Sequence, residues 1–264
     1  MKRVNSKNLN TINNGSRINS FVIASGEIEG VLTLKNGDYD ILIKDLNKNQ
    51  SLVIDCLEDT NLKLSIFANN ELENLNIKIN CYRNTNLNAY FADFSKDTNK
   101  VNVSIYLKEE GATANWHLAS LTSKHDNKEF YVSAIHESKN TYAKVDSYGV
   151  CKDSGKLIFA GVSHILNKSI NSKTYQNAKI MVFDKSSIAI AKPILKIDEN
   201  DVEASHGAVV GKINDDHLFY LTSRGLSEAE AKELITFGYL KPILAGFNDS
   251  HTREYLSSLI ERRM

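Results

Sequence analysis

The chain reads as an all-β region followed by a short helical one, on three observations. Period-two alternation of apolar residues recurs along most of its length. New strands begin about every 10–14 residues, at positions near Leu52, Leu62, Leu75, Leu87, Val101 and Ala112. After about residue 210 the apolar period changes from two to that of a helix.

The strands are explicit in the pattern. Leu62, Leu64 and Ile66 alternate with Lys63 and Ser65, and Leu75, Ile77 and Ile79 with Asn76 and Lys78. Leu87, Ala89 and Phe91 follow, then Val101, Val103, Ile105 and Leu107. Further segments are Ala112–Leu118, Phe130–His136, Tyr142–Val150 and Leu157–Ser163. Each presents one apolar and one polar face. The connectors are rich in Asn and Asp, at Glu58–Asn61, Asn69-Asn70, Asn84–Asn86 and Asp97–Lys100. Asn tolerates left-handed backbone and bonds its own turn, which suits tight corners. No gap holds an amphipathic helix long enough for a βα crossover, which argues against a doubly wound α/β fold. A sandwich, a closed barrel and a β-solenoid remain open on pattern alone. A run of more than ten strands with only two prolines suits a solenoid, whose coils stack to bury one continuous core.

The helical part has clear end signals. Asp215–Gly225 opens on two acids and closes on a glycine placed for a left-handed cap. Ser227-Glu-Ala-Glu230 has the spacing of a capping box, with Ala231, Leu234 and Ile235 as an apolar stripe. A last helix fits Thr252–Arg263, with Tyr255, Leu256, Leu259 and Ile260 inward. These stripes would close the end of the solenoid or dock a partner.

Composition narrows the function. The 264 residues are 42% apolar, enough for a substantial core. Lys+Arg and Asp+Glu are equal at 32, so no global charge draws the chain to nucleic acid or membrane. Residues 1–20 are basic, with Lys2, Arg3, Lys7 and Arg17, and read as a solvated arm. No signal-peptide pattern and no membrane-length apolar run occur, and the three cysteines are odd in number and dispersed, so a reducing cytoplasm is expected. The glycosylation patterns at Asn102 and Asn167 are then chance matches. There is no P-loop, dinucleotide fingerprint, nucleophile elbow, H-E-x-x-H or C-x-x-C. His206 stands out among seven histidines, in Glu203-Ala-Ser-His-Gly-Ala-Val-Val-Gly211, where strands give way to helices. Imidazole is a fitting iron or zinc ligand, and Glu203 is a weaker second candidate, but the two do not fill a coordination shell. Cys56, Cys81 and Cys151 read as structural residues.

Ala204-Ser-His-Gly-Ala-Val-Val-Gly211, then Leu218-Phe-Tyr-Leu-Thr-Ser-Arg-Gly-Leu226, then Ser227-Glu-Ala-Glu230 together resemble the SufB/SufD family of iron–sulfur cluster assembly scaffolds. Ala191–Ile197, Phe159-Ala-Gly161 and Gln176 are similar to their counterparts there, and the clear resemblance covers about residues 140–245. It implies a right-handed parallel β-helix over residues 21–211 and a C-terminal helical region, residues 212–264, that docks the ATPase SufC. Leu218, Phe219, Leu221 and Arg224 are the candidate contacts. It also implies pairing with SufB, or with a second copy, through the β-helix. The chain itself is then no enzyme and holds no tight cofactor, and a transient cluster forms at the scaffold interface beside His206. B-type members carry a cysteine after the glutamine matching Gln176, where this chain has Asn177, and a glutamate at the place of His206. Both departures indicate a SufD-type chain. The alternatives are a homodimeric scaffold working with SufC alone and an unrelated β-helix enzyme acting on polysaccharide. The latter usually needs a secretion signal and clustered acids or basic residues on one coil, neither of which is visible.

Overall fold

The computed structural model describes residues 2–3, 19–23 and 30–264; most of the basic arm lies outside the described residues. The strands are β1 (Lys2–Arg3), β2 (Asn19–Ile23), β3 (Val31–Leu34), β4 (Gly37–Ile43), β5 (Asn49–Cys56), β6 (Thr60–Ala68), β7 (Leu72–Cys81) and β8 (Asn86–Asp93). They continue as β9 (Thr98–Leu107), β10 (Thr113–Thr122), β11 (Asn127–His136), β12 (Tyr142–Cys151), β13 (Lys156–Ile165), β14 (Ser172–Val182), β15 (Ile188–Ile197) and β16 (Val202–Lys212). The helices are α1 (Asp215–Ser223), α2 (Glu228–Leu240) and α3 (Ser250–Glu261), with a 3-10 turn over Lys241–Gly246 between the last two.

From β2 on, the chain alternates between two parallel sheets. The first runs β1-β2-β4-β6-β8-β10-β12-β14-β16 and the second β15-β13-β11-β9-β7-β5-β3. Each coil therefore gives one strand to each sheet and stacks on the coil before it, which is a parallel β-solenoid. Sandwich and barrel are excluded because every pairing is parallel and, from β2 on, joins alternate strands.

The interior is a ladder of residues of one parity. Leu64, Ala89, Trp116 and Val145 succeed one another in register along the first sheet, and all are buried. Val103, Val132 and Phe159 belong to the opposite wall of the same core. Burying each large side chain contributes about 1.5–3 kcal/mol.

The corners explain the Asn-rich connectors. Asp59, Asn84, Asn140 and Asn171 all have φ between 52° and 59°, in the left-handed region. Asn84 Nδ2 donates to Asp59 Oδ1 at 3.1 Å, and Asn171 Nδ2 to Asn140 Oδ1 at 2.7 Å. The side chain that tolerates the turn thus also ties one coil to the next. The coils lengthen along the chain: such bonds span 25 residues at Asn84–Asp59 and 31 at Asn171–Asn140.

The helices do not close the end of the solenoid; they lie back along the outer face of the first sheet. Leu240, Ile243, Leu244, Phe247, Leu256 and Ile260 pack there on Phe67, Phe94, Leu121 and Val150. Asn248, just after the 3-10 turn, reaches both Lys63 Nζ (2.7 Å) and Asp40 Oδ2 (2.6 Å). The end signals hold: Gly225 has φ +99°, and the Ser227–Glu230 capping box forms. The apolar stripe of α2 is corrected in one respect, since Leu234 is exposed while Ala231, Thr236 and Leu240 are buried. Tyr255 of α3 is likewise at the rim, its ring 5.9 Å from that of Phe67.

Candidate functional site at the end of the solenoid

The last coil is formed by β15 and β16, and each has a strand neighbour on one side only. Their side chains are correspondingly open: Ile188, Ile194, Ile197, Val209 and Val210 are all exposed. An unpaired parallel edge with apolar side chains is an unfinished surface.

His206 lies on β16 opposite Gln176 of β14. Gln176 lies opposite Val145, and Val145 opposite Trp116. Trp116 and Val145 are core residues, so His206 occupies the inward-facing column and is exposed because no coil follows it. Toward this end the interior turns polar. Ser163, Thr174 and Gln176 are buried, with Gln176 Oε1 3.5 Å from Ser163 Oγ. Thr174 Oγ1 is buried without a hydrogen-bond partner. Gly161 gives the Gln176 side chain its room: a Cβ there would stand 3.0 Å from Gln176 Nε2 and 1.8 Å from the Val132 carbonyl oxygen.

Glu203 is not beside His206. Three residues along a strand reverse the face, and Glu203 lies outside, accepting from Lys173 Nζ at 2.6 Å and Tyr175 OH at 2.9 Å. The Lys173 bond, then that from Tyr175, holds its carboxyl below the usual range. Gly207 is on that outer face too, and a Cβ on it would come within 3.2 Å of Asn177 Oδ1. Among the described residues no group of three His, Cys, Asp or Glu side chains is arranged to hold a metal ion. All three cysteines are buried. Cys151 Sγ donates to the Gly155 carbonyl at 3.1 Å, and burial pushes its thiol above the ordinary value. The end of the solenoid thus presents one exposed imidazole and no exposed thiol.

The second group of candidates is on α1, which buries none of its residues. Phe219 is 74% exposed, the most open large apolar side chain of the chain's described part. Leu218 and Leu221 are half-buried, and Arg224 stacks its guanidinium 5.2 Å from the Tyr220 ring centroid. Asn214 caps the helix by accepting from the amides of Asp216 and His217. These residues are not consumed by packing on the core.

The sequence reading missed a buried ionic cluster. Lys128 and Asp93 are fully buried and bonded at 2.7 Å, and Arg263 is buried against Asp126. Parity was the available signal, because Lys128 shares the inward parity of Phe130 and Val132, and Asp93 that of Ala89 and Phe91.

Comparison with known proteins decides the family. The SUF-system FeS cluster assembly SufBD core domain matches residues 44–239. The chain belongs to the SufBD family. It is 33% identical over 137 residues to the iron–sulfur cluster assembly protein SufD of Bacillus subtilis, covering 52% of this chain and 31% of that protein. To SufB of the same organism it is 30% identical over 136 residues, covering 52% and 29%. A SufBD family protein of Staphylococcus saprophyticus is 26% identical over 176 residues, covering 67% and 38%. The chain thus matches well under half of each of these SufBD proteins, and the likeness to SufD supports the SufD-type assignment. Among the described residues no helix is long and apolar enough to cross a membrane.

Proposed function

We propose that this chain is a SufD-like, non-catalytic scaffold subunit of iron–sulfur cluster assembly, pairing through the open end of its solenoid so that a nascent cluster, its cargo, forms beside His206. The observation that carries this reading is that His206 continues an interior column of the solenoid yet is exposed at an unpaired strand edge. A partner strand laid along β16 would bury the apolar edge and set its own ligands against the imidazole. His206 supplies one nitrogen ligand and the chain no exposed thiol, so the rest of the shell comes from the partner. This favours a SufB-type partner over a second copy. Anaerobic cluster reconstitution with SufB and SufC, comparing wild type with His206→Ala, tests the reading. Cluster yield should fall with the complex intact; unchanged yield removes the His206 role.

The ATPase partner, SufC, is assigned to residues 212–264, with Phe219, Leu218, Leu221 and Arg224 as contacts. Hydrolysis is SufC's, and movement of the helical strap transmits it to the solenoid. Phe219→Asp should abolish co-purification with SufC while leaving the melting temperature unchanged, since the ring is not packed. Retained SufC binding by that variant and by Leu221→Asp would move the contact elsewhere.

A further inference from the structure

Between the outer face of the first sheet and the α2–3-10 segment lies a cavity of about 520 Å³. That volume falls in the range of small-molecule sites. It is separate from the solenoid end and from α1.

Four rings line it, beside the apolar Leu118, Leu240, Pro242 and Ile243. On the sheet side the His117 ring stacks on that of Tyr90, with centroids 4.9 Å apart and planes 21° from parallel. On the helix side Tyr239 meets Tyr148 edge to face at 5.5 Å. Tyr90, His117 and Asp146 are register neighbours on β8, β10 and β12, so the sheet itself sets them in a row. No hydrogen bond engages the Tyr90, Tyr148 or Tyr239 hydroxyls among the described residues. Burial pushes the Tyr239 phenol up to about 12, so it remains a donor. Burial also lowers His117, outweighing the pull of Asp146, so the imidazole is neutral and offers one donor and one acceptor.

The electrostatics select the ligand's charge. The Asp146 carboxylate is already met by Lys144 Nζ at 2.9 Å and by Asn177 Nδ2 at 3.0 Å. It leaves no unbalanced negative charge for a cation. Lys179 lies opposite Tyr148 in register, with its Nζ 5.8 Å from that ring's centroid. It is exposed and makes no ion pair among the described residues. An available ammonium thus stands beside a ring-lined cavity.

We propose that this cavity binds a planar heteroaromatic ring carrying an anionic group, of the nucleoside monophosphate class. The ring enters between the Tyr90–His117 and Tyr148–Tyr239 pairs, its polar edge bonds the free hydroxyls and imidazole, and the anion meets Lys179. Because one wall is sheet and the other is strap, the ligand would also hold the strap in its docked position.

Titration calorimetry on the full chain with AMP, GMP, CMP and UMP, and with the matching nucleosides, tests this. At least one nucleotide should saturate with a submillimolar Kd, and its nucleoside should bind about tenfold more weakly. Lys179→Ala should erase that difference, and Tyr148→Ala should weaken binding by about tenfold or more through lost stacking. Ala245→Phe, at an exposed lining position, should fill the cavity and abolish binding while circular dichroism and cooperative melting persist. Absence of saturation by all four nucleotides at low millimolar concentration overturns the proposal. So does binding that survives Ala245→Phe unchanged.

Discussion

Arg263 and Asp126, 137 residues apart, form a buried ion pair that fastens the end of α3 to the loops of the solenoid. The same guanidinium donates to the carbonyls of Phe94, Ser95 and Leu121 and to Ser123 Oγ. Removing it leaves the Asp126 carboxylate buried without its cation, held only by the Asp97 and Ser123 amides, and takes a donor from three carbonyls, of which Ser95 keeps Lys128 Nζ. Arg263→Met should therefore destabilise the protein by about 3–5 kcal/mol in urea unfolding. The double variant with Asp126→Asn should lose clearly less than the sum of the two single changes.

Gly161 predicts an unusually costly methyl. A Cβ there would stand 1.8 Å from the Val132 carbonyl oxygen, which is backbone and cannot turn aside. Gly161→Ala should cost at least about 1–3 kcal/mol. Gly211→Ala, where a Cβ meets nothing within 4 Å, should stay within about 0.5 kcal/mol of wild type. Urea midpoints measured side by side check the contrast.

His136 gives the stability a pH dependence of known sign. It is fully buried, its Nδ1 lies 2.7 Å from Thr141 Oγ1, and its Nε2 has no partner. Burial, with a smaller contribution from His164, pushes its pKa down to about 4. The unfolded chain takes up that proton near pH 6.5, so the neutral buried form contributes its full stability above that value. Stability is lost as pH falls from about 6.5 toward 4, by roughly 3 kcal/mol in all. The wild-type minus His136→Phe difference in unfolding free energy should rise by roughly 3 kcal/mol between pH 4 and 6.5 and stay level above that, whatever its constant offset.

Asn140 should invert the usual ranking of alanine and glycine. Its φ is 56°, and it donates to Glu110 Oε1 while accepting from Asn171. Alanine loses both bonds and retains the left-handed strain of about 1–2 kcal/mol. Glycine loses the bonds but not the conformation. Asn140→Ala should melt below Asn140→Gly.

Much of the fold was legible locally. Period-two parity in Leu62–Ile66 and Val101–Leu107 identified strands, Asn84 and Asp59 marked corners, and Ser227 and Gly225 marked helix ends. Each of these depends on a residue and its near neighbours along the chain. The solenoid itself was not fixed by pattern because its coils lengthen, from 25 residues between Asp59 and Asn84 to 31 between Asn140 and Asn171. No constant repeat is left for the sequence to display. Adjacent apolar residues such as Phe91-Ala92 and Ile66-Phe67 did carry a hint that the first sheet is covered on both faces.

Local residue patterns were enough for the strands, the corners, the helix caps and the family motif around His206. Tertiary structure decided that the helices return along the sheet instead of closing the end, that Arg263 meets Asp126, and that Tyr90 and Tyr239 face one cavity. The reason is distance along the chain. Backbone preference and capping act over a few residues, whereas those contacts join segments more than a hundred residues apart, and only stacking of the coils brings them within reach.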